Sequence, residues 1–172
     1  MDNIIEFNNL INYRHFIVGI DPGKKGAVVG LDYETGSIAW MEPLPLVGDQ
    51  FDPVSFLLAI HSRPKIKHIV LEHAQSFRGQ GIVSTFNYAR DFGIIVGILT
   101  ATKLPFTLVK PQLWQKTMFV GTSPGVDPKV RAFQVASRLW PSISFLPGPK
   151  SKKPHNGMVD AALIAEYGRR VL

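Results

Sequence analysis

Apolar and polar positions follow two different periods along this chain, which predicts an α/β protein. Short apolar runs rich in β-branched residues and bounded by turn residues predict strands at HFIVGID, AVVGLD, SIAWMEP, KHIVLEH and PFTLVK. Helical spacing predicts helices at DPVSFLLAIHS, VSTFNYARDFGIIVGILTATK, PQLWQKTMF, VDPKVRAFQVASRLW and from about Asn156 to the final arginines. In the second of these helices the recurring positions are Phe86, Ala89, Phe92, Gly93 and Val96. This order of strands and helices fits several three-layer α/β folds.

The size and composition fit one compact domain. The chain has 172 residues, of which 45% are hydrophobic and 19% charged, enough to bury a core of its own. Residues 1–14 show neither alternation nor helix caps, so we expect an N-terminal extension followed by one domain over residues 15–172. The absence of Cys excludes a thiolate nucleophile and a zinc–cysteine site. Any metal must therefore be held by carboxylates, histidines or backbone oxygens.

The charge balance bears on partners and location. The formal net charge of +6 creates a positive field that attracts polyanions such as nucleic acid. No run of about 18 uncharged apolar residues is present. The first residues carry Asp2 and Glu6 rather than the basic start of a signal peptide. We therefore expect a soluble, non-secreted protein with no membrane partner.

Three acidic residues stand where predicted elements end or begin. Asp21 closes the first strand, Glu72 closes the strand KHIVLE, and Asp160 falls in the first turn of the last helix. If the two strands are parallel neighbours, their carboxylates meet at one rim of the sheet, where α/β proteins usually place their sites. Adjacent carboxylates repel one another unless a cation neutralises them. The pattern predicts a site for Mg²⁺, with Mn²⁺ as a substitute, and two such ions suit phosphodiester hydrolysis.

Each acid also has an ordinary structural explanation. An Asp before Pro-Gly is a common turn former, which accounts for Asp21 without catalysis. Glu72 alone is weaker evidence still, and Asp160 alone fits a charge that favours the start of a helix. The hypothesis of a shared site therefore depends on the joint placement of the three acids.

Three segments together resemble the RuvC-type Holliday junction resolvases of the ribonuclease H superfamily. IVGIDPGKKGAVV is similar to their opening strand–turn–strand, IVLEHAQSF to their second acidic strand, and NGMVDAALIAEYG to their final acidic helix. The intervening segments QGIVSTFNYARDFGIIVGIL and VKPQLWQKTMF are most similar to phage and plant-chloroplast members. The resemblance extends from about Phe16 to Arg170. It implies a ribonuclease-H-like three-layer fold with a central mixed five-stranded sheet flanked by helices.

The resemblance also implies roles for particular residues. Asp21, Glu72 and Asp160 match the family's metal-binding catalytic acids. Bacterial members commonly carry an Asp or His three residues before the last acid, where this chain has Gly157. His155, or failing that Asn156, is then expected to complete the site by coordinating a metal or holding the attacking water. The alternative is that His155 is a solvated loop histidine.

Basic residues near the predicted site are candidates for phosphate contacts. They are Lys110, Lys116, Lys129, Arg131 and, in the loop before the last helix, Lys150, Lys152 and Lys153. Binding through them would be independent of sequence and weakened by salt, although each residue alone also fits a solvated surface. Phe77 resembles the position at which resolvases present an aromatic ring to the unstacked crossover. Alternatively, Phe77 packs beneath its own loop.

Together with the acidic residues, the resemblance implies a metal-dependent endonuclease that resolves four-way DNA junctions by paired phosphodiester cuts. Two symmetric cuts with one site per chain imply a two-fold homodimer. The candidate interface is the helix over about Val83–Thr102, because Ala89, Gly93 and Gly97 permit close approach; the alternative is burial against its own sheet. For function, the alternatives are a ribonuclease-H-like nuclease acting on RNA or flaps and a non-catalytic junction-binding protein.

Overall fold

A mixed five-stranded sheet with helices on both faces forms the centre of the protein. The computed structural model describes residues 14–23, 25–63, 65–73, 81–148 and 150–172. The strands are β1 (Phe16–Asp21), β2 (Ala27–Asp32), β3 (Ile38–Pro43), β4 (Leu46–Val47), β5 (Gln50–Phe51), β6 (Ile66–Glu72) and β7 (Phe106–Val109). The helices are α1 (Pro53–His61), α2 (Ile82–Ala101), α3 (Pro111–Met118), α4 (Pro128–Leu139) and α5 (Asn156–Val171). The predicted α/β class is confirmed, and the small β4–β5 hairpin is an addition that the sequence pattern did not predict.

The strand order places the ends of β1 and β6 side by side. The sheet runs β3-β2-β1-β6-β7, with β1 antiparallel to β2 and β2 antiparallel to β3. On its other edge β1 is parallel to β6, with Ile20 opposite Leu71, and β6 is parallel to β7. The two strands that end in Asp21 and Glu72 are therefore parallel neighbours, as the predicted site requires.

Side chains alternate along the strands and pack into two separate hydrophobic cores, one on each face of the sheet. Ile17 and Val70 point into a core with α3, α4 and α5, whereas Val18 and Ile69 point into a core with α1 and α2. Close approach holds α5 against β1, because a Cβ on Gly19 would lie 2.0 Å from the Ala161 carbonyl oxygen. This three-layer arrangement confirms the predicted central sheet flanked by helices.

α2 buries a narrower face than its periodicity indicates. Ile95 and Leu99 are fully buried, but Phe86 is 67% exposed and does not share that face. Apolar residues occupy most sides of this helix, so spacing alone does not identify the inward one. By length and composition alone α2 could also cross a membrane, although it carries the Arg90–Asp91 ion pair.

The predicted extension over residues 1–14 lies outside the described residues except for Arg14.

Candidate active site

Three acids lie within electrostatic reach of one another at a single rim of the sheet. Asp21 and Glu72 end the adjacent parallel strands β1 and β6. α5 packs across β1 and β2 and brings in Asp160, whose carboxyl group interacts with those of both other acids. Asp160 is the fifth residue of α5 and so lies in its second turn. The prediction of a first-turn position is therefore wrong, and the helix dipole, whose effect is concentrated in the first turn, is not what places this charge.

Burial and mutual repulsion make the negative charge at this rim costly. Burial, and then the charges of Asp21 and Glu72, raise the pKa of Asp160 to about 8, while Lys129 opposes the shift. Burial and Asp21 raise the pKa of Glu72 to about 7. Burial also raises the pKa of Asp21, against a backbone hydrogen bond from Gly23. Burial therefore disfavours negative charge on all three carboxyl groups, and a bound cation would offset this cost.

The turn after β1 fixes Asp21 in place. The Gly23 N–H donates to Asp21 Oδ1 over 2.9 Å, and the Gly26 N–H donates to the Gly23 carbonyl over 2.6 Å. A Cβ on Gly26 would lie 2.0 Å from the Asp21 carbonyl oxygen, so only glycine fits this tight return. Asp21 is thus a turn former, as its ordinary explanation states, and its carboxylate still stands at the acidic rim.

Glu72 has a partner that the sequence analysis did not identify. The Trp114 indole Nε1–H donates to Glu72 Oε1 over 2.7 Å, and this bond opposes the increase in the pKa of Glu72. Trp114 lies in α3 and is 1% exposed. In the sequence it is simply an apolar residue at helical spacing, and no local signal connects it with an acid 42 positions earlier.

The donor set fits a hard divalent cation. Carboxylate oxygens are the ligands that Mg²⁺ and Mn²⁺ prefer, and a cation would offset the burial, and for Glu72 and Asp160 the repulsion, that raises these pKa values. Within the described residues, however, no three His, Asp or Glu side chains lie close enough together to enclose an ion. The chemistry of a metal site is present, whereas the side chains as described do not form a complete coordination shell.

His155 caps the last helix instead of standing free in a loop. The Met158 N–H donates to His155 Nδ1 over 3.2 Å, and the residue is half-buried. Burial, together with the nearby charge of Lys25, lowers the pKa of the imidazole. Because Nδ1 accepts a hydrogen bond, the neutral ring carries its proton on Nε2. In this tautomer Nε2 is a hydrogen-bond donor. Because His155 is half-buried and caps α5, it is not the solvated loop histidine of the alternative interpretation.

The position of the bacterial fourth acid is closed by backbone packing. A Cβ on Gly157 would lie 2.1 Å from the Lys25 carbonyl oxygen and 2.8 Å from Gly26 Cα. Both contacts are with the turn that follows Asp21, so a side chain at this position would push α5 away from that turn. The structure therefore leaves no room for a side chain at position 157.

The predicted DNA-contacting residues differ in how free they are. The exposed ones are Lys110, Lys116, Lys129, Lys150, Lys152 and Lys153. Arg131 is half-buried, donates to Thr122 Oγ1 over 2.8 Å and stacks over the Phe119 ring, so its guanidinium is already engaged. Of the lysines, Lys129 interacts electrostatically with Asp160. Phe77 lies outside the described residues.

A cavity of about 950 Å³ opens beside the acidic rim. Its described lining includes Pro22 and Gly23 after β1, Phe51 of the β4–β5 hairpin, and Ile82 and Tyr88 of α2. Burial, then the charges of Glu72 and Asp21, raise the pKa of Tyr88, which places this phenol within electrostatic reach of the acids. The cavity gives a large ligand room to approach the rim.

Comparisons with known proteins establish the fold. No protein-family model and no curated protein sequence matches the chain. Thermus thermophilus RuvC in complex with a Holliday junction substrate is similar with a TM-score of 0.60 at 13% identity, over 88% of this chain and 91% of that one. A second T. thermophilus RuvC structure gives 0.58 at 13% identity, over 90% and 95%. The yeast mitochondrial Holliday junction resolvase Ydc2 gives 0.61 at 16% identity, over 90% and 77%. The chain therefore has the ribonuclease-H-like fold that the resemblance implies.

Proposed function

We propose that this protein is a divalent-metal-dependent endonuclease that resolves four-way DNA junctions by paired incisions. The observation that carries the proposal is the convergence of Asp21, Glu72 and Asp160 at one rim, where each carboxylate interacts with the others. The fold adds support, because the similar solved structures include a RuvC in complex with a Holliday junction substrate and a mitochondrial junction resolvase.

In this proposal the three acids hold Mg²⁺, or Mn²⁺ in its place, with two ions per site. When bound, such ions polarise the phosphodiester, activate the attacking water and stabilise the departing 3′ oxygen. The protein contributes position: the turn after β1 fixes Asp21, and α5 fixes Asp160. His155 acts through its Nε2–H as a donor to the attacking water or to a phosphate oxygen, because Nδ1 is engaged by the helix.

The junction is held mainly through its phosphates. Six exposed lysines are the proposed contacts, of which Lys129 interacts electrostatically with Asp160: Lys110, Lys116, Lys129, Lys150, Lys152 and Lys153. Arg131 contributes less directly, since its guanidinium already contacts Thr122 and Phe119. Phe77 retains its proposed role as an aromatic contact at the crossover. We place the protein inside the cell, in a bacterial or phage-infected cytoplasm or in an organelle.

Paired cutting requires a second copy of the chain, and the exposed face of α2 is the proposed interface. Ile82 is 89% exposed and Phe86 67%, an unusual exposure for large apolar side chains. A Cβ on Gly93 or Gly97 would meet nothing within 4 Å, so neither glycine is needed for packing within one chain. Sedimentation velocity tests the interface: Gly93→Arg should convert a dimer to a monomer with an unchanged thermal melting point. A monomeric parent protein would refute the dimer.

The deciding experiment incubates a labelled immobile four-way junction with and without Mg²⁺ and maps the nicks on all four strands. We expect symmetric cuts on two strands that depend on the metal. Asp21→Asn should abolish them and leave junction binding intact, while Glu34→Gln, which neutralises an exposed acid in the β2–β3 turn, should cut at the parental rate. Cleavage of only RNA or flaps would identify a different nuclease, and metal-independent binding without cuts would identify a non-catalytic protein.

A further inference from the structure

A buried tryptophan contacts the acidic rim from within the core. Trp114 lies in α3, its side chain is 1% exposed, and its indole Nε1–H donates to Glu72 Oε1 over 2.7 Å. Within the described residues this indole is the hydrogen-bond partner found for Glu72. The contact is long-range in sequence, so it exists only when α3 has docked.

Core packing fixes the direction of this donor. The Trp114 ring meets the Phe119 ring edge-on, with centroids 5.7 Å apart and planes at 82°. Both rings belong to the core that also contains Met118 and Val135. A large aromatic side chain confined in this way has little rotational freedom. An indole N–H only donates, so it selects an acceptor and cannot compete with Glu72 for a cation.

We propose that Trp114 is a positioning residue for a divalent cation at Asp21, Glu72 and Asp160, because it holds Glu72 Oε1 and so presents Oε2 to the ion. This inference rests on the proposed metal-dependent function. A glutamate has three rotatable bonds, and fixing one of its oxygens in advance removes much of the freedom that metal binding would otherwise have to remove. The donor also offsets part of the negative charge that burial makes costly at this rim.

The chain supplies a matched control in a second buried tryptophan. Trp140 is 7% exposed, its indole Nε1–H donates to the Gly36 carbonyl oxygen over 2.8 Å, and its ring packs against Phe145. Trp114→Phe and Trp140→Phe each remove one indole hydrogen bond and the same core volume. Only the first removes a contact with an acid of the rim.

The test is the binding of Mn²⁺ alone to the full-length protein in the absence of DNA. Binding is measured as the loss of the electron paramagnetic resonance signal of free Mn²⁺. Groups that orient metal ligands typically change metal affinity about ten- to a hundredfold when they are removed. We expect a loss of that size for Trp114→Phe and a change of less than about threefold for Trp140→Phe. In a Glu72→Gln background, Trp114→Phe should add no further loss.

A second replacement isolates the N–H group. Benzothienylalanine at position 114 keeps the shape of the ring system but carries sulfur in place of the N–H, and it should weaken Mn²⁺ binding even where Trp114→Phe impairs folding. Parental Mn²⁺ affinity in a folded protein with this replacement would overturn the inference and leave the proposed nuclease standing. A parent protein that binds no Mn²⁺ would overturn both proposals. If the replacements at position 114 weaken Mn²⁺ binding but the parent protein cuts no junction, only the proposed nuclease is overturned.

Discussion

Replacing Gly157 with alanine tests whether close packing of α5 on the turn after β1 assembles the acidic rim. The added Cβ would lie 2.1 Å from the Lys25 carbonyl oxygen and 2.9 Å from the Gly26 carbonyl carbon, both backbone atoms that cannot rotate away. Normal carbon–oxygen contact begins above 3 Å, so α5 and the turn must separate by about 1 Å. Overpacking of this kind typically costs about 1–3 kcal/mol.

The stability loss predicts a measurable shift in thermal melting. For a domain of this length each kcal/mol corresponds to about 2–4 °C in Tm, so a cost of about 1–3 kcal/mol should make Gly157→Ala melt about 2–12 °C below the parent. Gly125→Ala is the matched control, because a Cβ at this position meets nothing within 4 Å. Restricting the unfolded chain at an open position stabilises by about 0.4–1 kcal/mol, so this control should melt at or slightly above the parental temperature.

The same substitution should damage the site more than it damages the fold. Gly157 lies three residues before Asp160, and the turn that it contacts follows Asp21, so separating the two changes the spacing between these acids. At a temperature where Gly157→Ala is fully folded, Mn²⁺ binding and junction cutting should both fall. Gly157→Asp, which places an acid at the bacterial position, should not rescue either. A Gly157→Asp protein with the parental Tm and faster cutting would refute the steric argument.

Three further predictions address the cap, the C-terminal ion pairs and the lysine loop. His155→Ala should reduce stability by about 1 kcal/mol through loss of the helix cap, and it should reduce turnover about ten- to a thousandfold. His155→Asn should restore Tm, because Asn caps helices well, but should not restore turnover. Parental turnover in His155→Asn would contradict the proposed role of the imidazole as a donor. Burial raises the pKa of Glu166, but hydrogen bonds from Arg169 and Arg170 outweigh this effect and hold the pKa below its ordinary value. The ionised carboxylate therefore stabilises the fold fully above its unfolded pKa of about 4.3. This contribution disappears as the pH falls through the lower pKa of the folded state. The Tm deficit of Glu166→Gln should therefore shrink on acidification, and a constant deficit would exclude this linkage. Replacing the loop lysines together with Ala should reduce the slope of log affinity against log salt concentration by up to about 3; these residues are Lys150, Lys152 and Lys153. An unchanged slope would show that the loop does not contact the DNA.

Much of the fold could be predicted because its signals are local. Asp127 precedes Pro128 at the start of a helix, and in the structure its side chain accepts from the Lys129 and Val130 N–H groups. The capping side chain and the proline mark the boundary within a few residues, so the sequence alone sufficed. The β4–β5 hairpin lacked such a signal, since two-residue strands are too short to show alternation.

Part of the acidic rim could be predicted from the sequence. Residues placed by local patterns could be predicted, whereas residues placed by long-range contacts could not. Asp21 and Glu72 were placed from the strands that they end, which needed only the assumption of parallel neighbours. Trp114 and Tyr88 reach the same rim from helices whose docking no local pattern specifies. The capping role of His155 depends on where α5 begins, and a boundary within one residue is beyond what periodicity resolves.

Glycine packing connects the departure at position 157 with the altered role of His155. Gly19 and Gly157 let α5 approach β1 and its turn closely, since a Cβ on either would lie about 2 Å from a backbone oxygen. That approach brings Asp160 to the rim from the second turn of the helix and leaves no volume for an acid one turn earlier. A hydrogen-bond donor at this end of the helix must then come from a residue outside the face that packs on the turn. The N-cap residue, His155, lies outside that face. In the proposed nuclease, His155 would supply an Nε2–H donor at this end of the helix, where close packing leaves no room for a side chain at position 157.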